Sequence, residues 1–167
     1  VEKAFAPFLV LLHRNLVEKT LKNDGLATAF DYRRALSDPE TPGLLDRQSE
    51  KLAEFETDKI DSKNSALAFW TNAYNFFIVY HILKNPENGE PVYGVKDFGN
   101  FLNPYRIFKR KIFNVGGRDY SLDEIEKDIL LGDEFKEKGW KEARVHFAVN
   151  CASVGCPPLR EEIKKGD

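Results

Sequence analysis

Apolar residues return every three or four positions from the start of the chain. Across residues 4–22 (AFAPFLVLLHRNLVEKTLK), Phe5, Phe8, Leu9, Leu12, Leu16 and Val17 fall at helical spacing and predict a helix. Gly25 would end it. A short extended piece follows over residues 27–32, and SDPETPG is a turn cluster. Residues 43–57 read as a second amphipathic helix. The third predicted helix, residues 63–84, has Ser62 as its N-cap. Its run ALAFWTNAYNFFIVYHIL is apolar on nearly every face, the pattern of a helix buried on all sides. It is too short and too rich in Asn to be a membrane span.

Beyond that helix the pattern changes. NPENGEPVYG is an irregular connection of the kind that lines sites. RKIFNVGGRDY (residues 110–120) reads as a hairpin, with Gly116 and Gly117 supplying the positive φ angles of a tight turn. Ser121 and Glu124 form a capping-box pattern that opens a helix over residues 122–131. ARVHFAV (residues 143–149) reads as a buried strand, and Pro157 and Pro158 open a last helix. Long helices come first and a small antiparallel sheet later, so the expected class is α+β. A helical N-terminal part and the long central helix would pack on that sheet.

Length and charge narrow the class. The 167 residues fit a single domain, residues 1–167, in which LREEIKKGD reads either as a short C-terminal helix that ends the domain or as the start of a longer tail. Hydrophobic residues are 42% and Phe occurs 13 times, so the core is expected to be aromatic. The net charge of −2 argues against a nucleic-acid surface. The basic stretch RIFKRK reads as a solvated edge. The chain contains no Met, even at position 1. That fits an exported protein, periplasmic or extracellular, after signal-peptide removal, and equally a trimmed chain.

The chemistry concentrates in VHFAVNCASVGC, which holds His146 and both cysteines, Cys151 and Cys156. Cys156 directly precedes the Pro-Pro helix start. The positive end of a helix dipole favours the thiolate, which is the nucleophile. Backbone N–H groups of such a turn can hold an oxyanion. His146, in an otherwise apolar strand, must bond something polar when buried. A thiol–imidazole pair is the usual activation of a Cys nucleophile. Glu126, beside Ile125 on the preceding helix, is the candidate to orient the imidazole. Asn72 and Asn75 are i, i+3 neighbours that could orient the His or donate to an oxyanion.

Structural readings stand beside these. A lone His or Cys can be a satisfied core residue. The two cysteines could close a small disulfide loop. Glu126 could lie on the surface among Glu124, Lys127 and Asp128, and Asn72 and Asn75 could cap buried backbone. A zinc site from His146, Cys151 and Cys156 would need a fourth ligand, and its spacing matches no common zinc pattern, so no metal is expected. His13 and His81, each on a helix without an evident partner, read as structural.

AFWTNAYNFFIVYHIL, YSLDEIEKDIL and VHFAVNCASVGCPPL, in that order over residues 68–159, resemble the domain-of-unknown-function family 547. Members of that family are similar to the papain and transglutaminase group. Their Glu-His-Cys order is a circular permutation of the usual Cys-first arrangement. The resemblance implies a papain/transglutaminase-like fold. It carries site roles to Glu126 in IE, His146 in VHFA and the cysteines of NCASVGCP, and it covers Asn72 and Asn75. Lys127 stands where the family often has His, and the family commonly extends beyond the Pro-Pro helix.

The leading expectation is a thiol-dependent acyl-transfer enzyme, a peptidase, amidase or transglutaminase-like protein acting on a peptide or amide without a cofactor. Cys156 is favoured as nucleophile on helix-terminus grounds. Cys151 is the alternative nucleophile, or a resolving thiol for an oxidised Cys156. The competing expectations are a non-catalytic binding module with a Cys151–Cys156 disulfide, and a redox-responsive protein forming mixed disulfides with a small thiol.

Overall fold

The computed structural model describes residues 1–20, 26–92, 106–142, 145, 148 and 149. Among these, helices dominate and the strands form separate two-stranded antiparallel sheets, an α+β arrangement. A turn of 3-10 helix, Glu2–Phe5, leads into α1, Ala6–Asn15, with Pro7 in its first turn. Phe8, Leu11 and Leu12 form its buried stripe.

The first predicted helix is shorter than its spacing suggests. Residues 16–22 were expected to continue it, but β1, Leu16–Thr20, pairs with β2, Leu26–Phe30, from Leu16↔Phe30 to Thr20↔Leu26. Asn15 ends α1. Its Nδ2 donates to the Leu11 carbonyl one turn back at 2.8 Å. Its own carbonyl accepts from the Asp31 N–H at 2.8 Å, so the chain leaving the hairpin is tied to the helix end. Asp31 then caps α2, Tyr32–Ser37, accepting from the Arg34 N–H at 2.9 Å.

Helix α3, Thr41–Ala53, covers most of the second predicted helix. Its fully buried Gln48 accepts from the Phe8 N–H at 3.1 Å and donates to the Ala4 carbonyl at 2.8 Å. One side chain thereby satisfies two backbone groups at the start of α1, and this explains a buried amide in an apolar contact.

Helix α4, Lys63–Lys84, runs over the span the sequence predicts, with the Ser62 hydroxyl accepting from the Ser65 N–H at 3.3 Å. Residues 73–79 are buried without interruption. Rings from three directions meet α4. Phe69 packs on Phe5 edge-on and on Phe55 stacked, at 5.5 and 4.2 Å between centroids. Phe76 meets Phe8, and Phe77 stacks on Phe113 at 4.6 Å. Trp70 meets Tyr120 edge-on. Such aromatic contacts add about 0.5–1.5 kcal/mol each beyond their buried area, so α4 is the axis of the core.

After α5, Arg106–Lys109, the predicted hairpin forms as β3, Phe113–Val115, and β4, Arg118–Tyr120. Gly116 and Gly117 have φ of 60° and 78°, as a two-residue hairpin turn requires. Gly116 has a second constraint. Its N–H donates to the Leu52 carbonyl at 2.9 Å, and a Cβ there would lie 2.8 Å from the Phe55 carbonyl oxygen. The turn is thus docked on the end of α3.

The helix expected over residues 122–131 is present with a different winding. Residues 124–130 form a π-helix, followed by α6, Asp133–Glu137. The strand expected over residues 143–149 is not what its described members show. The Val149 and Ala148 N–H groups both donate to the Val145 carbonyl, at 3.1 and 2.8 Å, the bonds of a helical turn. Val145 and Val149 are buried against the core. The other residues of that segment, and the last predicted helix, lie outside the described residues.

Candidate functional site

Glu126, Asn72 and Asn75 are described; His146, Cys151 and Cys156 lie outside the described residues. Glu126 stands on the π-helix, whose start is fixed by the predicted capping box. The Ser121 hydroxyl accepts from the Glu124 N–H at 3.1 Å, and the Glu124 carboxylate accepts from the Ser121 N–H at 3.0 Å. That carboxylate also accepts from Lys111 at 2.7 Å and pairs with Arg118 at 3.3 Å. The Lys111 hydrogen bond holds the Glu124 carboxyl below the usual carboxylate range.

Directly after Glu124, Ile125 is buried and Glu126 beside it is half-buried. The Glu126 carbonyl accepts from the Leu131 N–H, five residues on, at 3.0 Å. Such widened turns are uncommon and frequently occur at functional sites. The π-helix packs against α4. Burial pushes the Tyr74 hydroxyl of α4 well above its ordinary value, and the charges of Glu126 and Asp123 push it further. Tyr74 therefore keeps its proton at neutral pH.

The two asparagines differ. Asn72 Nδ2 donates to the Ala68 carbonyl of its own helix at 2.6 Å, the structural role weighed for it. Asn75, itself buried, donates across the fold to the Ala148 carbonyl at 3.0 Å. That bond joins α4 to the segment carrying His146. The Glu126 helix and Ala148 therefore both meet α4. At the start of α4, Lys63 adds a looser tie to Glu142 at 3.8 Å.

Tyr74 and the π winding are site features that sequence reasoning missed. Tyr74 reads as one more core aromatic, and its signal was its place between Asn72 and Asn75 in TNAYN. The signal for the winding was the pair of apolar residues five apart, Ile125 and Leu130, ahead of Gly132. His81 is structural, as expected, but it has partners. Its ring meets Phe113 edge-on, and its Nδ1 lies 3.4 Å from the Asn85 amide. Burial, and then the charge of Arg110, lower its pKa to about 4.

A shallow cavity of about 370 Å³ opens between the end of α3 and the β3–β4 turn, lined by Glu54, Glu56 and Asp58 among others. It contains none of the candidate residues. Among the described residues no group of three or more His, Cys, Asp or Glu is placed to hold a metal, and no helix is long and apolar enough to cross a membrane.

Residues 58–165 match the family described as "Protein of unknown function, DUF547". The match begins just before α4 and takes in Glu126, His146, Cys151 and Cys156. No curated protein and no solved structure matches the chain.

Proposed function

The chain belongs to the DUF547 family, and on that premise we propose that it is a thiol-dependent acyl-transfer enzyme of the papain and transglutaminase kind, acting on an amide or peptide. Cys156 is the nucleophile, His146 the base and Glu126 the orienting carboxylate. His146 takes the thiol proton as sulfur adds to the substrate carbonyl. The oxyanion is held by backbone N–H groups near Cys156, Pro157 and Pro158 having none to donate. The C–N bond then breaks, and His146 returns the proton to the leaving amine. Water or a second amine attacks the resulting thioester and releases Cys156.

The observation that carries this reading is the Asn75–Ala148 hydrogen bond beside Tyr74. Ala148 lies two positions after His146, and Tyr74 lies within the field of Glu126. The Asn75 bond thus ties the segment after His146 to α4, the helix against which the carboxylate-bearing helix packs. A third group held by the scaffold is what orients the imidazole in thiol and serine triads generally.

The test is the pH dependence of Cys156 alkylation in a Cys151→Ala background, with and without His146→Ala. Half-maximal reactivity well below the ordinary thiol value of about 8.5, lost with His146, is the expected result. An ordinary thiol indifferent to His146 would refute the triad and favour a binding module.

A further inference from the structure

The connection after α4 turns on Asn88 and Gly89. Glu87 and Glu90 pair across the turn, each N–H donating to the other's carbonyl at 2.9 Å. Asn88 and Gly89 have φ of 52° and 79°, the left-handed pair of a two-residue turn. Asn88 is the one residue other than glycine with a positive φ among the described residues. Residues 87–90 are all exposed, and Arg33 of α2 holds the turn through Glu90 at 2.7 Å.

An asparagine can react with the backbone nitrogen that follows it. That nitrogen bonds to the side-chain Cγ, and the amide leaves as ammonia with the proton the nitrogen gave up. Water then opens the cyclic imide. Attack at Cγ breaks the new bond and gives aspartate. Attack at the main-chain carbonyl breaks the original peptide bond and leaves isoaspartate, with the chain running through the side-chain carbon. One water enters and one ammonia leaves. The reaction needs a nitrogen that is not committed to a hydrogen bond or crowded by its own side chain.

The described asparagines differ at that nitrogen. After Asn15, the Leu16 N–H donates to the Leu12 carbonyl, and after Asn64 the Ser65 N–H donates to the Ser62 hydroxyl. Asn72 and Asn75 lie inside α4, whose backbone bonds take the next N–H. Asn85 precedes Pro86, which has no N–H. Asn114 precedes Val115, branched and buried in β3. Asn88 alone precedes a glycine. The bonds of its turn are made by Glu87 and Glu90, so neither uses the Gly89 N–H, and a Cβ at Gly89 would meet nothing within 4 Å.

We propose that the Asn88–Gly89 turn is a spontaneous modification site, at which Asn88 converts to isoaspartate and aspartate, and that isoaspartate releases the Glu87–Glu90 bridge. The extra backbone atom of isoaspartate does not fit a turn closed by two short bonds. The new carboxylate also stands between two others, Glu87 and Glu90, and one bridge pair is little to hold an exposed turn against them.

The test is to incubate the full chain, folded, in mildly alkaline buffer and to follow every described asparagine by mass mapping, beside Asn88→Gln. Asn88 should convert severalfold faster than any other described asparagine. Asn88→Gln, whose longer side chain would need a larger ring, should stay unconverted at that position over the same time. In the isoaspartate fraction the Glu87 and Glu90 amides should exchange hydrogen severalfold faster than in the parent. Conversion at Asn88 no faster than at the other asparagines overturns the site. Fast conversion that leaves both amides as protected as before overturns the release of the bridge.

Discussion

Helix α4 and the π turn are neighbours with opposite solutions to burial. α4 is covered on nearly all sides, and residues 73–79 are buried in succession. No face of it is preferred, so an unbroken α register costs nothing in burial. The π turn has one buried side and one wet side, with Ile125 and Leu130 in the core and Lys127 and Asp128 exposed. Its core positions are spaced for a wider winding, and the backbone hydrogen bonds give way. The direction of the compromise follows from magnitudes. Exposing a Leu or Ile costs about 1.5–3 kcal/mol. Exchanging one backbone bond for another of similar length leaves the polar groups satisfied and costs less than burial of either side chain contributes.

The largest expected effect strikes α4. Phe77→Ala removes a ring that is 1% exposed and stacked on Phe113. It should cost about 3–5 kcal/mol in urea unfolding. A loss under about 1 kcal/mol would mean that α4 is not packed on all sides, and the contrast would collapse. Next is Gly132→Ala, which drives a Cβ into the Asp128 carbonyl oxygen. Relieving that overlap should cost about 1–3 kcal/mol, read by the same measurement. Stability equal to the parent would show that the π turn relaxes freely.

The N-caps compare the two helices more finely. Ser121→Ala breaks one arm of a reciprocal pair of bonds, whereas Ser62→Ala loses a single 3.3 Å bond. Both should lie near 1 kcal/mol, with Ser121→Ala the larger. The reverse order would place the stronger start on α4.

The smallest effect is a slope. Burial and the charge of Arg110 hold His81, near the end of α4, at about 4, below its ordinary 6.5. The unfolded chain therefore takes up the proton first. Stability from this group is full above pH 6.5 and falls as pH drops toward 4. His81→Gln should flatten that part of the stability–pH curve, and an unchanged slope would assign it to other groups.

The features legible in the sequence were those made by contacts within a few residues. The Ser62 cap, the span of α4, the Gly116–Gly117 turn and the Ser121–Glu124 capping box all formed where the residues predicted them. Glu126 and Asn75 stood out as polar residues on apolar elements, and Asn75 reaches past its own element to the Ala148 carbonyl. Asn72 stood out equally, yet its amide turned back to Ala68. Nothing local distinguishes the two, because the Ala148 carbonyl that separates them is 73 residues from Asn75.

Local chemistry also failed where a partner decides. Leu16 and Val17 continue the helical spacing of α1, but β1 exists because β2 is there to bond with it. The π winding is the same lesson within one helix. Its residues state which side chains are apolar, and only the face of α4 states that Ile125 and Leu130 must point the same way. Caps and tight turns are made by a side chain and backbone a few positions apart, so the chain dictates them alone. Register and heading depend on which surface lies opposite, and that surface exists only once the chain has folded.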